Sequence, residues 1–392
     1  MPSRILYLSR YEACFGGGRC LINLVRCLDR QHYEPFVMLP PGAVFAQELR
    51  DLGARVEELQ TSIPSTWRHL RHIASLNVAL IRFVRRERID IVHINEESCL
   101  ITSLIPFLLY CKLARIPYIV HHRSAGIVFD ALTRFLLLRG HVICISKAVH
   151  REFTAPRRSD VLARPSQRNV SLIYDGIDTA AFAAVSGGEA VRKEFGLNGD
   201  VVVGYVSAID PRKRQELFLQ AAKRVAAKHA NVRFLVVGDT YDGGERLTRY
   251  KQQMLALRDE LGLREQVIFT GYRTDVPRIM QAMDICVLTS KTEGLGDVVI
   301  EAMAAGKPVV STADGGPAEL VEDGATGYLV RQHGDASAYA ERIAELVADG
   351  PARRRMGREG ARQAMERFDV RSHARAIEAL YERLLTDAGR SR

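Results

Sequence analysis

The sequence predicts an α/β chain of two doubly wound, parallel-sheet domains, and three observations carry that prediction. The chain has 392 residues, more than one hydrophobic core ordinarily serves, so two domains of roughly 150–200 residues are expected. Short β-branched and apolar runs alternate with amphipathic helical patterns throughout, the mark of βαβ units around a parallel sheet. The rhythm breaks once, at 185–200, where four glycines stand without a strand pattern, and then it restarts.

In the first half, strands are expected at 4–9, 34–40, 89–94, 117–122 and 141–146. In the second they are expected at 200–207, 232–239, 266–272, 285–290, 308–312 and 327–330. The boundary falls near residue 183, giving Rossmann-like domains at 1–182 and 183–368 and a final segment at 369–392. In that segment Ala376, Ile377, Leu380, Tyr381, Leu384 and Leu385 recur at i, i+3, i+4 spacing, an apolar stripe that packs a helix onto a domain. No tandem repeat is present, which excludes a solenoid.

Composition narrows the classes. Hydrophobic residues at 47% and charged residues at 26% are ordinary globular usage and exclude a disordered chain. A formal charge of +9 asks for an anionic partner: nucleic acid, a lipid headgroup or a phosphorylated substrate. The basic runs at 82–88, 151–158 and 353–363 read as solvated helix faces. No nucleic-acid-binding module is recognisable, so nucleic acid is not an expected partner. Seven cysteines, an odd number with no CxxC pair, fit free thiols in a reducing cytosol and no metal site. The N-terminus runs straight into a strand pattern without a leader-like segment, so a cytoplasmic protein is expected. The apolar run at 99–114 spans sixteen residues, short of the roughly twenty that cross a bilayer, and reads as a buried or interfacial helix.

The stretch EGLGDVVIEAMAAGKPVV, 293–310, places Glu293 and Glu301 eight positions apart. A strand ending at Ser290 leads through a glycine-bearing loop to Asp297, expected as the N-cap of a helix that Gly306 stops before Lys307 and Pro308. Ligands of open α/β sheets bind at the carboxyl ends of strands, where this unit lies. Backbone amides at 295–298 would meet a phosphate at the helix N-terminus. Glu301 could accept both hydroxyls of a ribose diol, and Glu293 could reach a second polyol. Diol, anionic bridge and polyol are the layout of a nucleoside diphosphate sugar. A surface helix glutamate and an ordinary loop charge fit the same spacing.

The same stretch closely resembles the E-x7-E segment of the retaining family 4 glycosyltransferases, with Glu293 and Glu301 at its two acidic positions. Further matches follow in order: 15–28 at the glycine loop and first helix, 120–124 at a histidine-bearing loop, 143–149, 172–178, 209–214 at the basic donor-phosphate segment, 235–239, 267–272 and 311–330. The resemblance implies a GT-B fold, with two Rossmann-like domains facing across a cleft and the terminal helix crossing back to the first. It implies that Lys213, helped by Arg212, neutralises the leaving diphosphate, that Glu293 holds and polarises the donor sugar, and that His122 faces that sugar. His121, on the other strand face, would be structural. Gly16, Gly17 and Gly18 would let backbone approach the diphosphate. Glu301 would hold the ribose, Gly294, Leu295 and Gly296 the phosphates, and Gly238, Tyr272 and Arg273 the nucleotide. No DxD motif appears, and DTYD at 239–242 has the wrong spacing, so basic residues and helix dipoles would replace a metal and no cofactor is expected.

Two departures stand out. Ser207 and Ala208 occupy positions where the family commonly carries an arginine, leaving Arg212 or Arg214 as substitutes. Gly18 stands where an acidic or amide residue is common, and Phe15 where the first glycine is common. The expectation is a metal-independent, retaining transferase moving sugar to a glycan or lipid-linked acceptor in cell-surface polysaccharide or glycolipid synthesis, with peripheral attachment to an anionic membrane. The alternatives are another GT-B enzyme, a nucleotide-sugar epimerase or phosphorylase, or a catalytically silent nucleotide-sugar scaffold.

Overall fold

Apolar runs that are buried on both faces become the central strands of two parallel sheets. The computed structural model describes residues 1–12, 14, 16–60, 70–97, 103–127, 129–157, 160, 164–197, 199–240, 244–332 and 334–389. The chain divides into two units, Met1–Gly176 with Val370–Arg392, and Ile177–Asp369.

The strands of the first unit are β1 (Ser3–Leu8), β2 (Tyr33–Leu39), β3 (Arg55–Glu58), β4 (Ile91–Ile94), β5 (Tyr118–His122), β6 (His141–Cys144) and β7 (Val170–Leu172). They form a parallel sheet in the order β3-β2-β1-β4-β5-β6-β7. The helices between them are α1 (Gly16–Cys27), α2 (Ala46–Asp51), α3 (Leu70–Arg86), α4 (Ile105–Leu113), α5 (Ala131–Arg139) and α6 (Lys147–Thr154). All five expected strands form. β3 and β7 were not expected: both are edge strands, β3 largely exposed with the sequence RVEE and β7 only three residues long, so neither carries an apolar run.

The terminal helix Val370–Asp387 returns to this unit. Its buried Ala374, Ile377, Leu380, Tyr381 and Leu385 join Ile5, Tyr7, Leu21, Val25, Ile91 and Ile119 in one core. Each fully buried large aliphatic side chain of that stripe contributes about 1.5–3 kcal/mol. Of the stripe read from the sequence, Ile377, Leu380, Tyr381 and Leu385 form the packing face and Leu384 lies half-buried against it, whereas Ala376 is exposed and Ala374, one turn earlier than Ile377, is buried instead.

The second unit contains β8 (Val201–Val206), β9 (Val232–Val237), β10 (Val267–Gly271), β11 (Ile285–Leu288), β12 (Val309–Thr312) and β13 (Gly327–Val330). These are the six expected strands, parallel in the order β10-β9-β8-β11-β12-β13. Around them lie α7 (Thr179–Ala183), α8 (Gly188–Glu194), a 3₁₀ turn (Pro211–Lys213), α9 (Gln215–Ala226), α10 (Glu245–Glu260), α11 (Val276–Ala282), α12 (Asp297–Ala304), α13 (Pro317–Leu320), α14 (Ala336–Ala348) and α15 (Gly350–Phe368).

The division after Gly176 lies a few residues before the expected boundary at 182/183. The reason is local: α7 packs on α11, α12 and α15, and Ile177 already pairs with Asp369, its amide donating to Phe368 O at 3.0 Å. The glycine-rich stretch at 185–200 thus lies inside the second unit.

The two sheets share one topology. In each, the chain reverses its direction of growth beside the first strand, so crevices open at the carboxyl ends of β1 and β4 and of β8 and β11. Among the described residues, no helix is long and apolar enough to cross a membrane. The described cysteines are free thiols: Cys20, Cys111, Cys144 and Cys286 are buried, and Cys14 and Cys27 half-buried. Cys99, Arg158 and residues 67–69 lie outside the described residues.

Candidate functional site

At the switch point of the second sheet, the backbone of Lys213 is fixed before its side chain does anything. Asp210, buried after β8, caps the 3₁₀ turn by accepting Arg212 N at 2.8 Å. The carbonyl of Lys213 accepts from the phenol of Tyr205 on β8 and from Thr289 Oγ1, 3.0 Å away, past the end of β11. Thr289 Oγ1 also donates to Arg214 O at 2.9 Å, and Lys291 N donates to Arg212 O at 2.9 Å. Arg214 closes the turn at φ 58°, a left-handed conformation rare outside glycine. Tyr205, Thr289 and Asp210 were not singled out in the sequence, because their roles exist only once β8 and β11 lie side by side.

So held, Lys213 Nζ forms an ion pair with Glu293 Oε1, and the two side chains are only 24% and 12% exposed. The sequence reading gave these residues separate partners; in the structure they neutralise each other. Behind Glu293 the loop 314–316 presses on its backbone. Gly316 N donates to Glu293 O at 3.2 Å, and a Cβ at Gly316 would sit 2.3 Å from the Cα of Leu295. A Cβ at Gly315, which has φ +63°, would lie 2.3 Å from Glu293 O. Both obstacles are backbone, so they cannot swing aside. Gly316→Ala is expected to displace the 293–295 segment and cost about 1–3 kcal/mol as an overpacked contact, readable in a urea titration.

Helix α12 begins differently from the expectation. Its cap is Gly296 at φ 91°, and Asp297 is the first helical residue rather than the N-cap. The chain must enter through a left-handed turn, which glycine adopts without penalty, while the Asp297 carboxylate in the first turn still favours the positive helix end. The first amides of a helix lack i−4 partners and suit an anion, although here Val299 N donates to the carbonyl of the cap, Gly296 O, at 2.8 Å. Gly294 is half-buried at the approach, and Leu295, 2% exposed, belongs to the core. Glu301 lies one turn in, half-buried, close enough that its charge adds to the burial that pushes the Cys286 thiol up to about 12. Gly306 ends the helix at φ 71°, as expected.

Around this pair the remaining candidates divide. Arg212 is two-thirds exposed, its Nε 3.2 Å from Asp210 Oδ1. At the positions where the upstream arginine is missing, Ser207 and Ala208 are bound by a glutamine: Gln215 Nε2 donates to Ser207 Oγ at 3.1 Å and to Ala208 O at 2.9 Å. Arg214 Nε lies 3.7 Å from Glu216 Oε1. Gly238, at φ +128°, is glycine because a Cβ would meet Ser207 O at 2.0 Å. Tyr272 is half exposed, but the Arg273 side chain is committed to Glu194 at 2.6 Å and Asp275 at 2.8 Å, pinning α8 to the loop after β10. Asp239 is engaged by Lys251 Nζ at 2.7 Å; DTYD runs on into 241–243, which lie outside the described residues.

In the first unit, Gly16, Gly17 and Gly18 form the first turn of α1 rather than a loop before it. The missing Cβ of Gly17 is accounted for by Tyr11, whose ring carbon Cε2 would be 2.6 Å away. Asn95, just past β4, donates from Nδ2 to Gly17 O at 2.9 Å. His122, expected to face a sugar, is 2% exposed: Phe129 and Phe153 meet its ring edge-on, and Nδ1 lies 3.5 Å from Glu97 Oε1. Burial alone would raise the Glu97 carboxyl, but His122 and the amide of Arg123 hold it below its ordinary value.

His121 points into a different cluster. Its Nδ1 lies 2.9 Å from His93 Nε2, and its ring stacks on His373 of the terminal helix. His93 Nδ1 meets Tyr381 Oη at 2.6 Å. Burial first, then the charge of Arg123, holds His93 and His121 well below the ordinary 6.5, and burial lowers His373 as well. A depressed histidine stabilises the fold above its ordinary pKa and loses that contribution as pH falls, because the unfolded chain takes up the proton first. Burial lowers His141 too, to about 4, so four histidines act in this direction against two carboxyls of opposite sign, Glu96 and Glu378, which burial raises. The first unit is therefore expected to melt at a lower temperature at pH 5 than at pH 7.5 by calorimetry.

The geometry defines a class: paired Rossmann-like sheets of one topology, the second carrying a cation, a carboxylate and a helix N-terminus at its switch point. Two family models match in succession, "Glycosyltransferase Family 4" over residues 16–181 and "Glycosyl transferases group 1" over residues 189–363. The chain belongs to the family 4, group 1 glycosyltransferases, and its fold is GT-B. Among curated relatives, spore coat protein SA of Bacillus subtilis (strain 168) is 28% identical over 56% of this chain and 60% of its own length. A D-inositol 3-phosphate glycosyltransferase of Mycobacterium sp. (strain KMS) is 36% identical over 48% of this chain and 42% of its own. The matched region thus spans roughly half the length of these relatives. A crystal structure of Anabaena Alr3699/HepE in complex with UDP-glucose superimposes with a TM-score of 0.80 at 25% identity, covering 96% of this chain and 98% of that one. Sucrose-phosphate synthase from Thermosynechococcus elongatus shares the fold, with a TM-score of 0.80 at 20% identity over 98% of this chain and all of that one.

Proposed function

We propose that the chain is a retaining glycosyltransferase that moves a sugar from a nucleoside diphosphate donor, a UDP-sugar in the first instance, to a glycan or lipid-linked acceptor. The observation that carries this reading is the Lys213–Glu293 ion pair at the switch point of the second sheet, next to the amides that open α12. UDP-glucose in the HepE neighbour supports the choice of base.

In the proposed reaction the acceptor oxygen bonds to the anomeric carbon on the face where the bond to phosphate breaks. The bonding pair leaves with the diphosphate, which takes the acceptor proton. Lys213, with Arg212 beside it, meets the charge that grows on the leaving group, and basic side chains take the part a metal would otherwise play; one preorganised donor of this kind is commonly worth about 3–4 kcal/mol. Glu293 orients the sugar and Glu301 the ribose. The test is calorimetric titration with UDP-, GDP-, ADP- and TDP-sugars, followed by transfer assays on the donor that binds. Affinity for none of them would end the proposal.

A second reading has its own observation. With Ser207 and Ala208 where an arginine is common, and Gln215 bound to both, the chain could bind donor and not turn it over. Binding without transfer, hydrolysis or epimerisation across an acceptor panel would favour that silent scaffold.

The acceptor side is read from a surface of the first unit. Leu109 and Leu113 on α4 are 45% and 85% exposed, and Leu132 on the adjoining α5 is 50% exposed. Lys112, Arg115 and Arg139 stand exposed among them. Apolar residues flanked by cations fit peripheral attachment to an anionic bilayer. The protein is expected to float with anionic vesicles at low salt and to lose that association at high salt and in Leu113→Glu.

A further inference from the structure

At the switch point of the first sheet, two glutamates follow β4, and their surroundings differ. Glu97 accepts the amides of Arg123 at 2.8 Å and Ser124 at 3.1 Å and lies beside His122. Among the described residues, Glu96, 1% exposed, is hydrogen-bonded by the segment that follows β1: it accepts Arg10 N at 2.6 Å and lies 3.3 Å from Ser9 Oγ. That segment continues into Tyr11, whose amide is 3.4 Å from Ser9 Oγ and whose ring fills the place of a Gly17 side chain. Gly17 is bound in turn by Asn95, the residue between β4 and Glu96.

We propose that Glu96 is the positioning residue of the β1–α1 connection: it holds residues 9–11, and through Tyr11 the glycine turn of α1, and releases them when it ionises. The groups facing it are Arg10 and Tyr11 from the connection itself, Glu97 from its own loop and Arg123 from the end of β5. Burial raises the carboxyl to about 7, against the Arg10 amide and the charges of Arg123 and Arg10, which lower it; Glu97 adds to the rise.

The sign follows from linkage. When the segment lifts, Glu96 meets water and its pKa returns towards 4.5, so the open state binds protons more weakly than the closed one. Closure is therefore favoured while the acid is protonated, and opening grows as pH rises through neutrality. From pH 6 to pH 8 the opening constant should increase about 10-fold, once the intrinsic pH dependence of amide exchange is removed. The amides of Arg10 and Tyr11, which donate to Glu96 and to Ser9 Oγ, should lose protection together, while the strands of the sheet do not. Glutamine keeps the shape and the acceptor oxygen and cannot ionise.

The inference rests on the transferase reading only for what the connection serves, and its test needs neither donor nor acceptor. Hydrogen–deuterium exchange of the full chain at pH 6, 7 and 8 is expected to show the 10-fold loss of protection in the wild type and a flat profile in Glu96→Gln. At pH 8 the variant should then be better protected than the wild type, an outcome that loss of a merely structural hydrogen bond would not produce. Glu96→Ala, which removes the acceptor, should be unprotected at every pH. A wild-type profile without the pH step, or a Glu96→Gln profile that keeps it, would overturn the proposal, and neither result bears on whether sugar is transferred.

Discussion

Glu293→Gln is expected to lower turnover by about 10²–10³-fold while tightening the binding of UDP alone, since an interaction made to the reacting group is commonly worth about 3–4 kcal/mol. The two effects have opposite signs because Glu293 has two partners at different times. Without donor its carboxylate neutralises Lys213; with donor, in the proposed reaction, it holds the sugar and leaves Lys213 to the diphosphate. Removing the charge frees the cation for UDP and forfeits the sugar contact. Lys213→Ala should weaken UDP and lower turnover together, and should change affinity for uridine little. Titrations of UDP and uridine against both variants and the double variant separate these cases. Equal weakening of UDP by both single substitutions would mean that the pair acts as one structural unit and not as two halves of a donor site.

Arg123→Ala is expected to cost about 3–5 kcal/mol of stability, the usual penalty for stranding one member of a buried ion pair. Arg123 is 9% exposed and pairs with Asp175, which is 1% exposed; its Nε also donates to Asn95 O at 2.7 Å. Asp175→Asn in the same chain should recover part of the loss, because it removes the stranded charge. Urea titrations followed by circular dichroism check both.

Which parts of this molecule could be read from the sequence follows from where burial is two-sided. β1, β4, β5 and β8–β13 carry continuous apolar runs and were found; β3, with an exposed RVEE, and the three-residue β7 lie at sheet edges and left no such trace. Glu293 and Glu301 were legible because one loop and one helix turn separate them. Lys213 came from resemblance, but its pairing with Glu293 joins residues eighty apart and depends on β8 lying beside β11. The network of Ser9, Glu96, Arg123 and Asp175 is likewise assembled by the strand order. Asp297 was misread as a cap because polar side chains favour that position, whereas a left-handed entry to α12 selects Gly296. His122 came from resemblance, and the aromatic rings that enclose it come from Phe129 and from α6.

The second unit begins and finishes at one spot. Ile177 bridges to Asp369, and Thr179 Oγ1 donates to Asp369 Oδ2 at 2.9 Å. Topologically it is an insertion hung from adjacent stems, so residues 177–369 could be circularly permuted: fusing the native ends with a short linker and cutting an exposed turn elsewhere would leave every strand pairing intact.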